Sequence, residues 1–196
     1  GLRILVWQQT DRNIKKLLRE RNSPLTIPAL ETYALDRGAR HRKADRRGKP
    51  DQAHLGDLAE IWQTDMLEAA GVLAREGCKV AVLKMASAKK PGGGFRSGAG
   101  AQEENMHRRT DLIRFLEQQR RNYPIPEEGC LLSEGVTILR GTEEEGYPFL
   151  PAEQRHRIGV VSCAAVIRPW LDHNNEEYAN KWDRTLMQSK LTAILD

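Results

Sequence analysis

Apolar and polar positions along the chain alternate between helical and strand-like periods, weakly at first and clearly after residue 55. Ile14, Leu17 and Leu18 fall at helical spacing and predict a helix over 11–21. Pro24 and Pro28 then interrupt regular structure, 26–35 reads as a short strand, and 37–52 as a basic loop. Residues 58–63 alternate and read as a strand ending in Trp62. Thr64 or Asp65 supplies an N-cap for a helix reaching Glu76, apolar at Met66, Leu67, Ala70, Val72, Leu73 and Ala74. Gly77 is its natural stop.

The valine-rich run 79–85 predicts a buried strand, followed by a glycine-rich loop over 86–101. A long helix is expected over 102–121, with Met106, Leu112, Ile113, Phe115 and Leu116 mostly on one face and Pro124 and Pro126 ending it. Residues 131–139 read as a strand region with a turn at Glu134-Gly135, and 141–146 as an acidic turn. The most apolar run, 158–167, predicts a central strand that Pro169 terminates. A last helix is expected over 175–195, apolar at Leu186, Met187, Leu191, Ile194 and Leu195. This order is that of an α/β fold. It divides the chain into an extension over 1–54 and a core over 55–196.

Composition narrows the classes. No apolar run reaches the roughly 18 residues a membrane-crossing helix needs, and the N-terminal LRILVW is too short for a signal-peptide core. Three cysteines, Cys78, Cys130 and Cys163, lack paired spacing, which argues against a disulfide framework or a zinc site and for a cytoplasmic or nuclear setting. Much of the +4 net charge lies in the run 37–49. That run reads as a solvated loop, a polyanion contact or an import signal, and without aromatics it offers no stacking platform for bases.

The candidate chemistry lies in 91–104, PGGGFRSGAGAQEE. A strand feeding a glycine loop that feeds a helix places the loop beyond the carboxyl end of the strand, where ligands of open α/β sheets bind. Gly92, Gly93 and Gly94 allow positive φ and close approach of the backbone, successive N–H groups can face phosphate oxygens, and the helix start favours anions. The spacing fits neither a Walker loop nor a GxGxxG fingerprint. Glu103 and Glu104 begin the helix. They complement its dipole, and being about 100° apart they cannot address one atom in the same way.

With its seven residues between GGG and QEE, the stretch VLKMASAKKPGGGFRSGAGAQEENMHRRTDL resembles the signature of microbial-type poly(ADP-ribose) glycohydrolases. The segments IWQTDMLEAAGVLAREGCKVAVL, LLSEGVTILRG and IGVVSCAAVIRP extend the likeness over about 58–195. The resemblance implies an α/β macrodomain-like mixed sheet flanked by helices, binding the terminal ADP-ribose of a polymer. It implies hydrolysis of the ribose–ribose O-glycosidic bond with Glu104 as acid/base, and Glu103 in ribose binding and loop geometry. Gly92, Gly93 and Gly94 would line the diphosphate and distal ribose, Phe95 would shape the loop, and Gln102, Ser87 and Lys84 would complete the ligand contacts. No metal or cofactor is implied. The expected partners are ADP-ribose, poly(ADP-ribose) and ADP-ribosylated proteins, with no membrane.

Two departures stand out. Lys84 occupies a position where the family usually has Asn or Asp, and it could bind phosphate or disturb the ribose contact. The sequence also ends at 196, before the further strand and second glycine–aromatic phosphate loop of the family. That leads to the expectation of a sheet incomplete at the C-terminus, impaired turnover and a completing subunit. The rival readings are a non-catalytic ADP-ribose-binding or scaffold macrodomain, and a structural or nucleic-acid-contacting subunit of a larger assembly.

Overall fold

The computed structural model describes residues 1–20, 23, 25 and 60–195, so the strand expected over 26–35 and the basic run 37–49 lie outside the described residues. The first element is α1, Leu2–Arg19, which is longer than the helix expected over 11–21 and begins earlier. Its inward face carries Val6, Trp7, Thr10, Ile14 and Leu17. Thr10 breaks the apolar pattern in sequence. It is nevertheless fully buried, donating to the carbonyls of Val6 and Arg108 and accepting from Arg140 Nε at 2.8 Å.

The strand expected over 58–63 does not form among its described residues, 60–63, and Ile61 is fully exposed. Helix α2, Met66–Arg75, follows with Asp65 as N-cap. The Asp65 carboxylate accepts the amides of Leu67 and Glu68, two of the donors that a helix start leaves free. Its other oxygen accepts from Arg109 at 2.8 Å.

Three strands form one mixed sheet in the order β1-β3-β2. Strand β1 is Ala81–Met85, β2 is Leu131–Thr137 and β3 is Arg157–Cys163. β1 runs parallel to β3, and β2 antiparallel to it with an irregularity between Ser133 and Val136, where Gly135 has φ 80°. The apolar run 158–167 is thus central, although the strand stops at Cys163.

Alternation sets the faces. Val82 and Lys84 point inward from β1, facing Val160 and Ser162 across the ladder, while Leu83 and Met85 are largely exposed. On the inner face Val82, Val136, Ile158 and Val160 pack with Leu67 and Ala70 of α2, with Met106, Phe115 and Leu116 of the next two helices and with Leu112 between those helices. This core roots the end of β1 and the start of the following helix.

The helix expected over 102–121 is broken into α3, Gln102–Arg109, and α4, Ile113–Gln118. At the break Thr110 is extended and bridges Ile138. Its hydroxyl donates to the Met106 carbonyl, and the Asp111 carboxylate accepts the Thr137 amide at 2.7 Å. Side chains that compete for backbone groups end α3 here. The last helix, α5, is Lys181–Leu195 and starts later than expected. Asn175 sits at φ 59°, and Asn180 accepts the Asp183 amide as a cap would.

Candidate active site

β1 ends at Met85, and residues 86–101 lead from its carboxyl end to the start of α3. The path depends on glycine. Gly92 and Gly93 have φ 77° and 56°, a region that side-chain-bearing residues rarely adopt. A Cβ on Gly93 would also lie 2.4 Å from Glu104 Oε1 and 2.8 Å from Glu103 Oε2, so the chain crosses directly over both carboxylates.

The two glutamates are buried and differently engaged. Glu103 Oε1 accepts from Lys84 Nζ at 2.7 Å and its Oε2 accepts the Ser87 amide at 2.8 Å. Glu104 Oε1 accepts the Gly94 amide at 2.9 Å, whereas its buried Oε2 has no protein partner. Lys84 is fully buried, and burial lowers its pKa against the opposing effect of Glu103 and Glu104. The structure gives Lys84 a partner in Glu103 rather than an exposed face for phosphate.

Gln102 fastens the helix start to the backbone of β1. Its Oε1 accepts the Met85 amide at 2.9 Å, and its Nε2 donates to the Leu83 carbonyl at 2.8 Å and to the Met66 sulfur. The Ser87 hydroxyl accepts the Lys90 amide. Phe95 has no exposure and points beneath the loop, edge-on to Trp7 at 4.4 Å and stacked on His107 at 5.0 Å.

The expected cradle of successive N–H groups takes a different form. The amides of Gly93 and Phe95 donate to the carbonyls of Lys90 and Gly92, and that of Gly94 to Glu104, so all three serve the loop itself. A tight turn over a buried helix start directs these donors inward.

Several residues that sequence reasoning missed complete the surroundings. His107 is fully buried one turn below the glutamates, neither nitrogen has a protein partner, and burial, followed by the nearby cations, lowers its pKa well below 6.5. Tyr123 has a buried hydroxyl whose pKa is raised above its ordinary value, first by burial and then by Glu103. Arg108, also fully buried, donates to the Tyr147 hydroxyl and to the Ala99 carbonyl. The spacing of His107 and Arg108, three and four residues after Glu104, places them on its face of α3 and is the signal that could have found them.

A cleft of about 870 Å³ opens beside Asn105, the residue after Glu104, with Gln63, Asp65, Glu68, Glu143 and Glu144 among its walls. Among the described residues no group of three or more His, Cys, Asp or Glu is placed to hold a metal ion.

The geometry has clear relatives. The structure is similar to the poly(ADP-ribose) glycohydrolase of Thermomonospora curvata bound to the inhibitor ADP-HPD, with 27% identity, a TM-score of 0.55, and coverage of 69% of this chain and 52% of that one. A second T. curvata structure matches at 29% identity and a TM-score of 0.52, over 66% of this chain and 48% of that one. The Deinococcus radiodurans glycohydrolase in complex with ADP-ribose shares the fold, at 24% identity and a TM-score of 0.55 over 69% of this chain and 55% of that one. The chain therefore spans about half the length of the solved relatives it matches. No curated protein matches it. The family model described as microbial-type PARG, catalytic domain, matches residues 14–139, which include the whole glycine loop and both glutamates. By that match, this chain belongs to the microbial-type poly(ADP-ribose) glycohydrolase catalytic-domain family.

Proposed function

We propose that the protein hydrolyses the ribose–ribose O-glycosidic bond of poly(ADP-ribose), with Glu104 as the single acid/base. The observation that carries this reading is the asymmetry of Glu104: one oxygen is held by the Gly94 amide and the other is buried without a protein partner.

Glycoside cleavage passes through an oxocarbenium-like state and needs a proton delivered to the departing oxygen. The unpartnered Oε2 carries that proton. After departure, the same carboxylate takes a proton from water as it adds to the sugar carbon, so one group serves both halves of the reaction. The Gly94 amide fixes the carboxylate so that little reorganisation is needed. Glu103 is engaged by Lys84 and Ser87, which leaves it to hold the loop.

Recognition follows from the same geometry. The glycine loop leads directly into the start of α3, where the N-terminal field favours the diphosphate of a bound ADP-ribose. The cleft beside Asn105 is of a size that takes a nucleoside, and its carboxylates and amides can accept from an exocyclic amine and ribose hydroxyls. Solved relatives of this family bind ADP-ribose and ADP-HPD, which supports ADP-ribose as the ligand here.

The test is incubation of the protein with purified poly(ADP-ribose), followed by chromatography of the products. Release of ADP-ribose is the expected result. Binding of ADP-ribose without release would instead identify a binding module.

A further inference from the structure

Lys84 and Glu103 form the most deeply buried of the described ion pairs, with side-chain exposures of 0% and 5%. The Arg109–Asp65 and Arg114–Asp111 pairs each keep one partner more exposed. Removing two charges from water costs hydration that their attraction recovers only in part, so stability alone is a poor reason for such a pair.

We propose that Lys84 is a positioning residue that commits Glu103 to holding the loop and leaves Glu104, of the two adjacent glutamates, to act on the substrate. This inference rests on the acid/base reading of Glu104. The strand pattern sets it up: with Val82 and Lys84 inward on β1, the ammonium lies under the first turn of α3, in the row of Ser162. Ser87 follows three residues later, and its amide reaches the second oxygen of Glu103. Lys84, Glu103 and Ser87 thus tie the end of β1, the start of α3 and the root of the loop into one triangle.

Both Glu103 oxygens are accounted for by that triangle. The ammonium also offsets a negative charge that would otherwise face Glu104 across Gly93. Without it Glu103 Oε1 is left buried and unpaired, the Ser87 contact loosens, and Glu104 loses the geometry that the Gly94 amide maintains. Glu103 therefore acts through position, and its charge is needed only because Lys84 is charged.

The experiment compares Lys84→Met, Glu103→Gln and the double variant with wild type. ADP-ribose affinity, the kcat and KM of chain shortening, and the thermal midpoint are measured on the same preparations. K84M is expected to lower kcat by about 30-fold through misplacement of Glu104, with ADP-ribose affinity changed less than about fivefold. The double variant has no unpaired charge, and the amide oxygen introduced by Glu103→Gln can still accept the Ser87 amide. It is expected to regain at least about tenfold in kcat over K84M, a non-additivity that marks a coupled pair.

An unchanged kcat in K84M, or a double variant whose loss is the product of the single losses, overturns the proposal. If K84M does not fold, the double variant carries the same test against E103Q: recovery over E103Q supports the coupling, and the absence of recovery overturns it. If wild type releases no ADP-ribose, the acid/base reading fails instead. The positioning role is then decided by whether the two substitutions couple in ADP-ribose affinity, additive effects overturning it.

Discussion

Arg108 donates through Nη1 to the carbonyl of Ala99 at 2.7 Å, closing a circuit that begins and ends on α3. The Ala99 amide donates to the Gly94 carbonyl, and the Gly94 amide holds Glu104, one helical turn before Arg108. The far end of the glycine loop is thereby tied to the helix that bears the proposed acid/base. Arg108→Met leaves the Ala99 carbonyl and the Tyr147 hydroxyl without this donor. A loss of about 3 kcal/mol in urea denaturation is expected, together with a fall in kcat that exceeds any change in KM. Unchanged stability would remove the circuit from the account.

Gly93→Ala tests the crossing of the loop over the carboxylates. The new Cβ would lie 2.4 Å from Glu104 Oε1 on a backbone at φ 56°, so either the loop or the carboxylate must move. A shift of about 1 Å at a reacting group can lower turnover by about 100-fold. Steady-state kinetics should register such a loss, while circular dichroism of the core remains that of wild type.

His107 gives the fold a pH dependence of known sign. Its folded pKa lies well below 6.5, because burial first and the neighbouring cations next disfavour the imidazolium. The unfolded chain therefore binds more protons once pH falls below about 6.5, and stability is lost in that direction. Denaturation at a series of pH values should show wild type losing up to about 1.4 kcal/mol per pH unit relative to His107→Leu below that point. Parallel pH curves would contradict the burial of a neutral imidazole.

Asp111 acts with the opposite sign. Burial, against the Thr137 amide and Arg114, raises its pKa from 3.8 to about 6. The folded state then holds the extra proton, so its contribution is full below 3.8 and is lost as pH rises through 6. Asp111→Asn should flatten a decline of about 3 kcal/mol across that window, an order-of-magnitude figure for a two-unit shift. The same pH series separates it from the histidine effect.

How much of this the sequence disclosed depends on the kind of signal each residue gives. The β1–loop–α3 unit was legible because a valine-rich run, clustered glycines and paired glutamates stand next to one another. Asp65 was legible as a cap for the same local reason. The break at Thr110 was not, since it depends on a bridge to Ile138, far away in the chain. The start of α1 was hidden because Thr10 fills an apolar slot through hydrogen bonds to Arg108 and Arg140. Lys84 was visible as an unusual residue, yet its role required its partner: alternation along β1 turns it inward to Glu103, away from solvent.

The most direct test of the central claim is the rate of ADP-ribose release from poly(ADP-ribose) by Glu104→Gln, measured beside its affinity for ADP-ribose. Glutamine preserves the Gly94 contact and removes the transferable proton. A fall in rate of at least about 1,000-fold with affinity within about threefold of wild type is the predicted result. Turnover within about tenfold of wild type would contradict the assignment of Glu104 as the acid/base.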